Sequence, residues 1–202
     1  MSDTLDTKLW KPRSVSETRK VYQDWAATYD DDVIGSGYAT PARLAAIAAK
    51  YCARDLPLLD FGCGTGLSGA ALFAAGFATI DGTDLTPEML DIAQGKMIYR
   101  ALWQGSGDAI AVTRGDYATI TATGVVSLGA APPETLGTLL DCLATGGHLA
   151  LSFNAPTLAD PRYVAALDGV MNDGRAMLVA REHGPHLTGK GMGSDVILLR
   201  RL

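Results

Sequence analysis

Three features of the sequence predict a single α/β domain built on a seven-stranded mixed sheet. From residue 58 onward short apolar runs alternate with segments of helical period, and a glycine-rich turn joins the first of those runs to a helix. The last two apolar runs, AMLVARE and DVILLRR, are joined by a glycine-rich loop with no room for a crossover helix, so they must pair antiparallel. A chain of 202 residues, 48% of them apolar, is long enough for one well-buried core and too short for two full domains.

Each element follows from its residues. Residues 1–13 are polar and without periodicity, and are expected to form a flexible tail ahead of a domain over 14–202. SVSETRKVYQDWAAT, from Ser14 to Thr28, opens with serine and acid and sets Val21, Trp25 and Thr28 at helical spacing. A glycine-broken link over 30–38 leads to a helix starting at Thr40, with proline in its first turn. Strands are then expected at Leu58–Phe61, Thr79–Gly82 and Ala101–Gln104, alternating with helices from about Leu67 to Ala75 and from Pro87 to Tyr99. A fourth strand fits Thr119–Ala122, a helix Pro133–Leu143, and a fifth strand HLALSFN after the Gly146-Gly147 turn. A helix over roughly Pro161–Met171 precedes the terminal hairpin.

Composition narrows the function classes. A formal charge of −5 argues against a surface built to neutralise phosphates, which favours small molecules over nucleic acid as partners. No run approaches the length of a membrane span, and the N-terminus lacks the apolar core of a signal peptide, so a soluble, cytoplasmic protein is expected. Three cysteines without a C-x-x-C pair indicate neither a disulfide framework nor a zinc site. The oligomeric state is not written in the sequence.

The chemistry concentrates in LLDFGCGTGLSG, residues 58–69. A glycine turn at a strand's carboxyl end, running into a helix, exposes backbone N–H groups and lets a nucleotide-like cofactor approach closely. Two patterns overlap, Gly62-x-Gly64-x-Gly66 and the dinucleotide-type Gly64-x-Gly66-x-x-Gly69. Asp60, two residues before Gly62, would repel a diphosphate but attract the ammonium of S-adenosylmethionine, directly or through water. Asp84, 22 residues beyond Gly62, is placed to accept from both ribose hydroxyls of either cofactor. Thr86 is expected to cap the following helix, and Leu85 and Met89 to supply apolar contacts to adenine.

VYQDWAATYDDDV, GYATP, LLDFGCGTGL, IDGTDLTPEML, YRAL, TATG and LATGGHLALSF together resemble a class I S-adenosylmethionine-dependent methyltransferase, most nearly the Williams–Beuren-type methyltransferase-like proteins. The resemblance covers roughly residues 21–154. It implies a Rossmann-like sheet of order 3-2-1-4-5-7-6 with strand 7 antiparallel, and S-adenosyl-L-methionine as cofactor. By position, Asp60, Gly62 and Gly64 would line the methionine side and Asp84 the ribose, with Cys63 a small side chain in the same cofactor-binding loop. Tyr22, Trp25 and Tyr29 would close over the cofactor as part of a helical lid, 14–38, while Thr123 and Gly124 would face the transferred methyl. Where relatives carry an acid near adenine this chain has Gly105-Ser106-Gly107, with Asp108 next, so the polar group that meets the adenine amine stays open, Ser106 being a cofactor-binding candidate. The acid common before the fourth strand's core is replaced by Ala118, and a later Gly-His step by Gly129-Ala130.

The implied activity is methyl transfer to a small-molecule acceptor. Two alternatives stay open at this point: a protein that binds S-adenosylmethionine or S-adenosylhomocysteine without catalysis, and a nicotinamide-dependent oxidoreductase using the Gly64–Gly69 registry. No catalytic side chain or metal ligand stands out. Cys63 lacks a basic partner in sequence, and His183 and His186 are expected in the exposed hairpin loop.

Overall fold

The computed structural model describes residues 7–107 and 109–202. Seven strands, β1 (Leu58–Phe61), β2 (Ile80–Asp84), β3 (Ala101–Gln104), β4 (Thr119–Ala122), β5 (His148–Asn154), β6 (Ala176–Leu187) and β7 (Met192–Arg201), form one sheet. Its order is β3-β2-β1-β4-β5-β7-β6, with β7 antiparallel to both neighbours, as the terminal hairpin and the family likeness imply. The helices are α1 (Val15–Trp25), α2 (Tyr29–Gly35), α3 (Thr40–Tyr51), α4 (Leu67–Ala74), α5 (Pro87–Gly95), α6 (Glu134–Cys142), α7 (Ala155–Ala159) and α8 (Pro161–Asn172).

Strand alternation divides the core into two layers. Leu59, Ile120, Leu149, Leu151 and Phe153 pack against α6 and α8, while Leu58, Ile80, Ala150 and Val196 pack against α3 and α4. Asp60 therefore points toward α4, and Phe61 to the opposite face with Trp103. Every parallel crossover but one carries a helix. The exception is the connection from β3 to β4, which is coil through its described residues and leaves the α6 side of the sheet open at that edge.

Several elements depart from expectation for identifiable reasons. The tail expected over 1–13 is, from Thr7, a 3₁₀ turn to Trp10 with Leu9 buried against Trp25, Val33 and Leu187; residues 1–6 lie outside the described residues. The link expected at 30–38 is largely α2, because Asp30, Asp31 and Asp32 favour a helix's positive N-terminal end and Val33 is buried. The helix expected to reach Tyr99 stops at Gly95, and Met97 takes a positive φ of 54°. Strand β2 runs on to Asp84. The hairpin loop zips up as well: His183 and His186 are residues of β6, and the turn shrinks to Thr188–Lys190 with Gly191 left-handed. Ser14 does start α1, through a reciprocal capping box with Glu17.

Helix α4 reaches its place because Gly69 lets the Tyr99 ring pass. A Cβ at Gly69 would stand 2.2 Å from the Tyr99 hydroxyl and 2.4 Å from Cζ. That phenol is tied to Asp60 and cannot yield freely. Gly69→Ala is expected to destabilise the fold by about 1–3 kcal/mol in urea unfolding; an unchanged midpoint would mean that Tyr99 is free to move.

Candidate functional site

The turn after β1 is shaped by three left-handed glycines, Gly62 (φ 66°), Gly64 (φ 53°) and Gly66 (φ 92°). The Gly62 and Cys63 N–H groups both donate to Thr83 O, at 2.8 and 3.0 Å, which anchors the turn to β2. A Cβ at Gly62 would stand 2.3 Å from Val125 Cγ2, whereas one at Gly64 would meet nothing within 4 Å. Gly62 thus lets the loop after β4 close in, and Gly64 leaves open space above the backbone.

The two acids occupy different environments. Asp84 lines a cavity at the strand ends, and each of its oxygens accepts one backbone N–H, from Gly64 at 3.0 Å and from Thr86 at 2.9 Å. Burial raises its pKa, and those N–H groups oppose the rise. Thr86 is the N-cap residue of α5 but its side chain makes no capping bond; Asp84 takes the Thr86 N–H instead. Asp60, expected to reach an ammonium directly or through water, is fully buried behind the turn and is not among the residues that line the cavity. Its Oδ2 accepts from Ser68 Oγ (2.6 Å) and the Tyr99 hydroxyl (2.8 Å), its Oδ1 from Thr121 Oγ1 (3.0 Å). Burial pushes its pKa up to about 6 against the pull of these three donors.

The cavity measures about 440 Å³, within the range of small-molecule sites. Of the residues singled out in the sequence, Tyr22, Tyr29, Gly62, Gly64, Asp84, Leu85, Met89, Thr123 and Gly124 line it. Three other expected residues do not. Cys63 is buried, its thiol pushed far up by burial and by Asp60 and Asp84, so it serves as a small core side chain. Trp25 is buried behind the wall, donating from Nε1 to Asp32 at 2.7 Å. Ser106 lines a neighbouring depression with Arg19 and Lys20, and Asp108 lies outside the described residues.

Sequence reading missed much of the remaining wall: Arg13, Val15 and Thr18 from the N-terminal segment, Phe61 and Trp103 from the sheet, Ile110 from the coil, and Thr135 and Thr138 from α6. Alternation from Asp60 is the signal that could have placed Phe61. Among the described lining residues, Arg13 and Asp84 are the charged ones. Thr83 and Thr123 also line the cavity, each with a buried hydroxyl that has no partner among the described residues. Unsatisfied buried hydroxyls cost free energy unless a ligand or water meets them. Together with the open space at Gly64 and the remaining lone pairs of Asp84, they fit a polyhydroxylated, nucleoside-like group.

The N-terminal segment covers this cavity. The Tyr29 ring meets Trp25 edge-on with centroids 4.6 Å apart, and Tyr22 lies 6.2 Å from Trp25. Asp30 of α2 ties the cover to the glycine turn, accepting from Thr65 Oγ1 and from Lys96 Nζ (2.7 Å), which also donates to Thr65 O (2.6 Å). Gln23 donates to Glu88 at 2.7 Å, and Arg13 donates to Gly129 O. Trp25 is thus a strut of the cover.

Comparisons with known proteins identify the family and the fold. The sequence family described as methyltransferase domain matches residues 37–193. Human methyltransferase-like protein 27 is 40% identical over 85 residues, which is 40% of this chain, and the match spans 34% of that relative's length. Magnesium protoporphyrin IX methyltransferase from Synechocystis PCC 6803, solved with S-adenosylhomocysteine, superposes with a TM-score of 0.73 at 17% identity, covering 94% of this chain and all of that one. The [4+2]-cyclase SpnF superposes with a TM-score of 0.60 at 15% identity, over 79% of this chain and 80% of its own. These structural likenesses are of fold, and the sequence match is what assigns the family: the chain belongs to the methyltransferase-domain family, on the Rossmann-like fold of S-adenosylmethionine-dependent enzymes.

Proposed function

We propose that this protein transfers the methyl group of S-adenosylmethionine to a small organic acceptor held in the covered cavity. The observation that carries the acceptor class is the cavity itself: about 440 Å³, roofed by α1 and the segment before it, and walled mainly by apolar groups and hydroxyls. A site closed in this way suits a small guest better than a polyanionic strand, and the net charge of −5 agrees.

The residues divide the work by position. Asp84 accepts from the ribose hydroxyls, Leu85 and Met89 flank the adenine, and the backbone at Gly62 and Gly64 admits the methionine portion. Asp60, one layer behind, supplies negative charge that favours an ammonium near the turn. Tyr22 and Tyr29 exclude water from above, and Thr123 and Gly124 border the methyl end. When bound, the cofactor supplies a methyl already activated by its sulfonium. The chain's contribution is therefore alignment and exclusion of water. No histidine, lysine or glutamate lines the cavity among the described residues, so the side chains supply placement rather than a dedicated base.

Calorimetric titration tests the cofactor assignment. S-adenosylhomocysteine and S-adenosylmethionine are expected to bind and NAD not to, with Asp84→Ala weakening both sulfur ligands by about 10- to 100-fold. Binding of NAD in their place would sink the reading.

The raised pKa of Asp60 sets a pH dependence. A ligand ammonium favours the ionised carboxylate, so it lowers a pKa that stands near 6 in the free protein. Affinity for S-adenosylhomocysteine should be full at pH 7 and above and decline as the pH falls through 6. Asp84, whose pKa is also raised, contributes in the same direction. Asp60→Asn should flatten the profile, and a profile identical to wild type would remove Asp60 from the argument.

The acceptor class is tested by incubating the protein with methyl-labelled S-adenosylmethionine and separate small-molecule and RNA fractions. Label is expected among the small molecules, and label confined to RNA would overturn that part of the proposal.

A further inference from the structure

The cavity wall includes a row of side chains on the α6 side of the sheet. Phe61, Thr83 and Trp103 are register partners on β1, β2 and β3, so they point to one face and line the cavity together. Phe61 and Trp103 pack at the margin of the α6 and α8 layer and stay only partly buried. No helix covers the row from the side of the next connection, which is coil from β3 to β4 through its described residues. Thr135 and Thr138, neighbours on one face of α6, line the same cavity.

The spacing and polarity of this row point to a particular guest. Neighbouring strands stand about 4.8 Å apart, so the backbones at Phe61 and Trp103 are about 10 Å apart with Thr83 midway. A planar ring over Thr83 would have both aromatic residues within the roughly 4.5–7 Å at which rings attract one another. Alternation along β2 turns Thr83 to this face and Asp84 to the other. The Thr83 hydroxyl, on a residue only 4% exposed, has no partner among the described residues, and such a group is costly unless a guest supplies a hydrogen bond. The charged groups among the described lining residues are already engaged with backbone: Arg13 donates to Leu9 O and Gly129 O, and Asp84 accepts from Gly64 and Thr86. A charged guest would find no counter-ion in the row.

We propose that this row is the seat of the acceptor, and that the acceptor is an uncharged aromatic molecule one ring wide, bearing a hydroxyl or similar group that exchanges a hydrogen bond with Thr83. The inference deepens the methyl-transfer reading given above and rests on it. Val125 connects the two parts of the site. It lines the cavity, packs at the same layer margin as Phe61, and directly follows Thr123 and Gly124, which border the methyl end in that reading. The row and the methyl end thus share a border, and a ring held between Phe61 and Trp103 is oriented before it reacts.

Calorimetry on the full chain saturated with S-adenosylhomocysteine, using 2-naphthol, tests the seat. Decahydro-2-naphthol removes the aromatic character and naphthalene-2-sulfonate adds a charge, and each is expected to bind about tenfold more weakly than 2-naphthol. Thr83→Val keeps the shape without the hydroxyl and should weaken 2-naphthol about tenfold, while Thr138→Phe fills the space beside α6 and should abolish its binding. Both variants are expected to hold S-adenosylhomocysteine within twofold of wild type, which also reports that they are folded; should Thr138→Phe fail to fold, the milder Thr83→Val decides. Equal binding of the three compounds, or unchanged 2-naphthol affinity in a folded variant, would overturn the assignment. So would loss of S-adenosylhomocysteine from a variant that keeps its thermal transition, because the row would then belong to the nucleoside. Wild-type protein that takes S-adenosylhomocysteine but not 2-naphthol overturns this assignment alone, and wild-type protein that does not take S-adenosylhomocysteine overturns the methyl-transfer reading and the acceptor role with it.

Discussion

The buried carboxylate of Asp60 is the constraint around which the rest of the structure is arranged. A charge at full burial stands only if its oxygens are satisfied, and here the donors come from three separate elements: Ser68 on α4, Tyr99 ahead of β3, and Thr121 on β4. Each bond also fixes geometry. Ser68 sets the rotation of α4 and so the exit from the glycine turn, and Tyr99 needs Gly69 and Gly82 to be without side chains. Thr121 joins the central strand to its neighbour β4. The acid thus organises the site from behind, without touching the space in which a ligand would lie.

Above the sheet, a different set of forces encloses that space. The N-terminal helices bury Leu9, Trp25 and Val33 against Leu187, a small apolar cluster apart from the two main layers. Polar ties then fix the cover's height over the turn. The connection between β3 and β4, coil through its described residues, leaves Phe61 and Trp103 to line the cavity, with Thr135 and Thr138 of α6 also in its wall. The cavity is therefore as much a product of what the crossover lacks as of what the glycine turn provides.

The features legible in the sequence were those with local causes. A turn that needs three left-handed residues declares itself as Gly62, Gly64 and Gly66, and a strand that ends in an acid before Thr-Pro declares Asp84. The sheet order followed once the terminal runs proved too close for a crossover and the family likeness supplied the rest. What escaped notice depends on distant contacts. The sequestration of Asp60 needs Tyr99 and Thr121, 39 and 61 residues away. The glycines at 35 and 37 punctuate the sequence strongly enough to hide α2, whose stability comes from Val33 beneath it and from Asp30 meeting Lys96.

One consequence follows from the way α2 is fastened. Asp30 carries two tethers on separate oxygens, and Lys96 holds both the acid and the backbone of the glycine turn, so the cover and the turn behave as one closed body. The charged member of the set, Lys96 with Asp30, is partly exposed to solvent ions and so is weakened by salt. On the proposed function, such a fastening would let the rate at which a ligand exchanges be set apart from its affinity, the one by the bonds at Asp30 and the other by the ligand's own contacts.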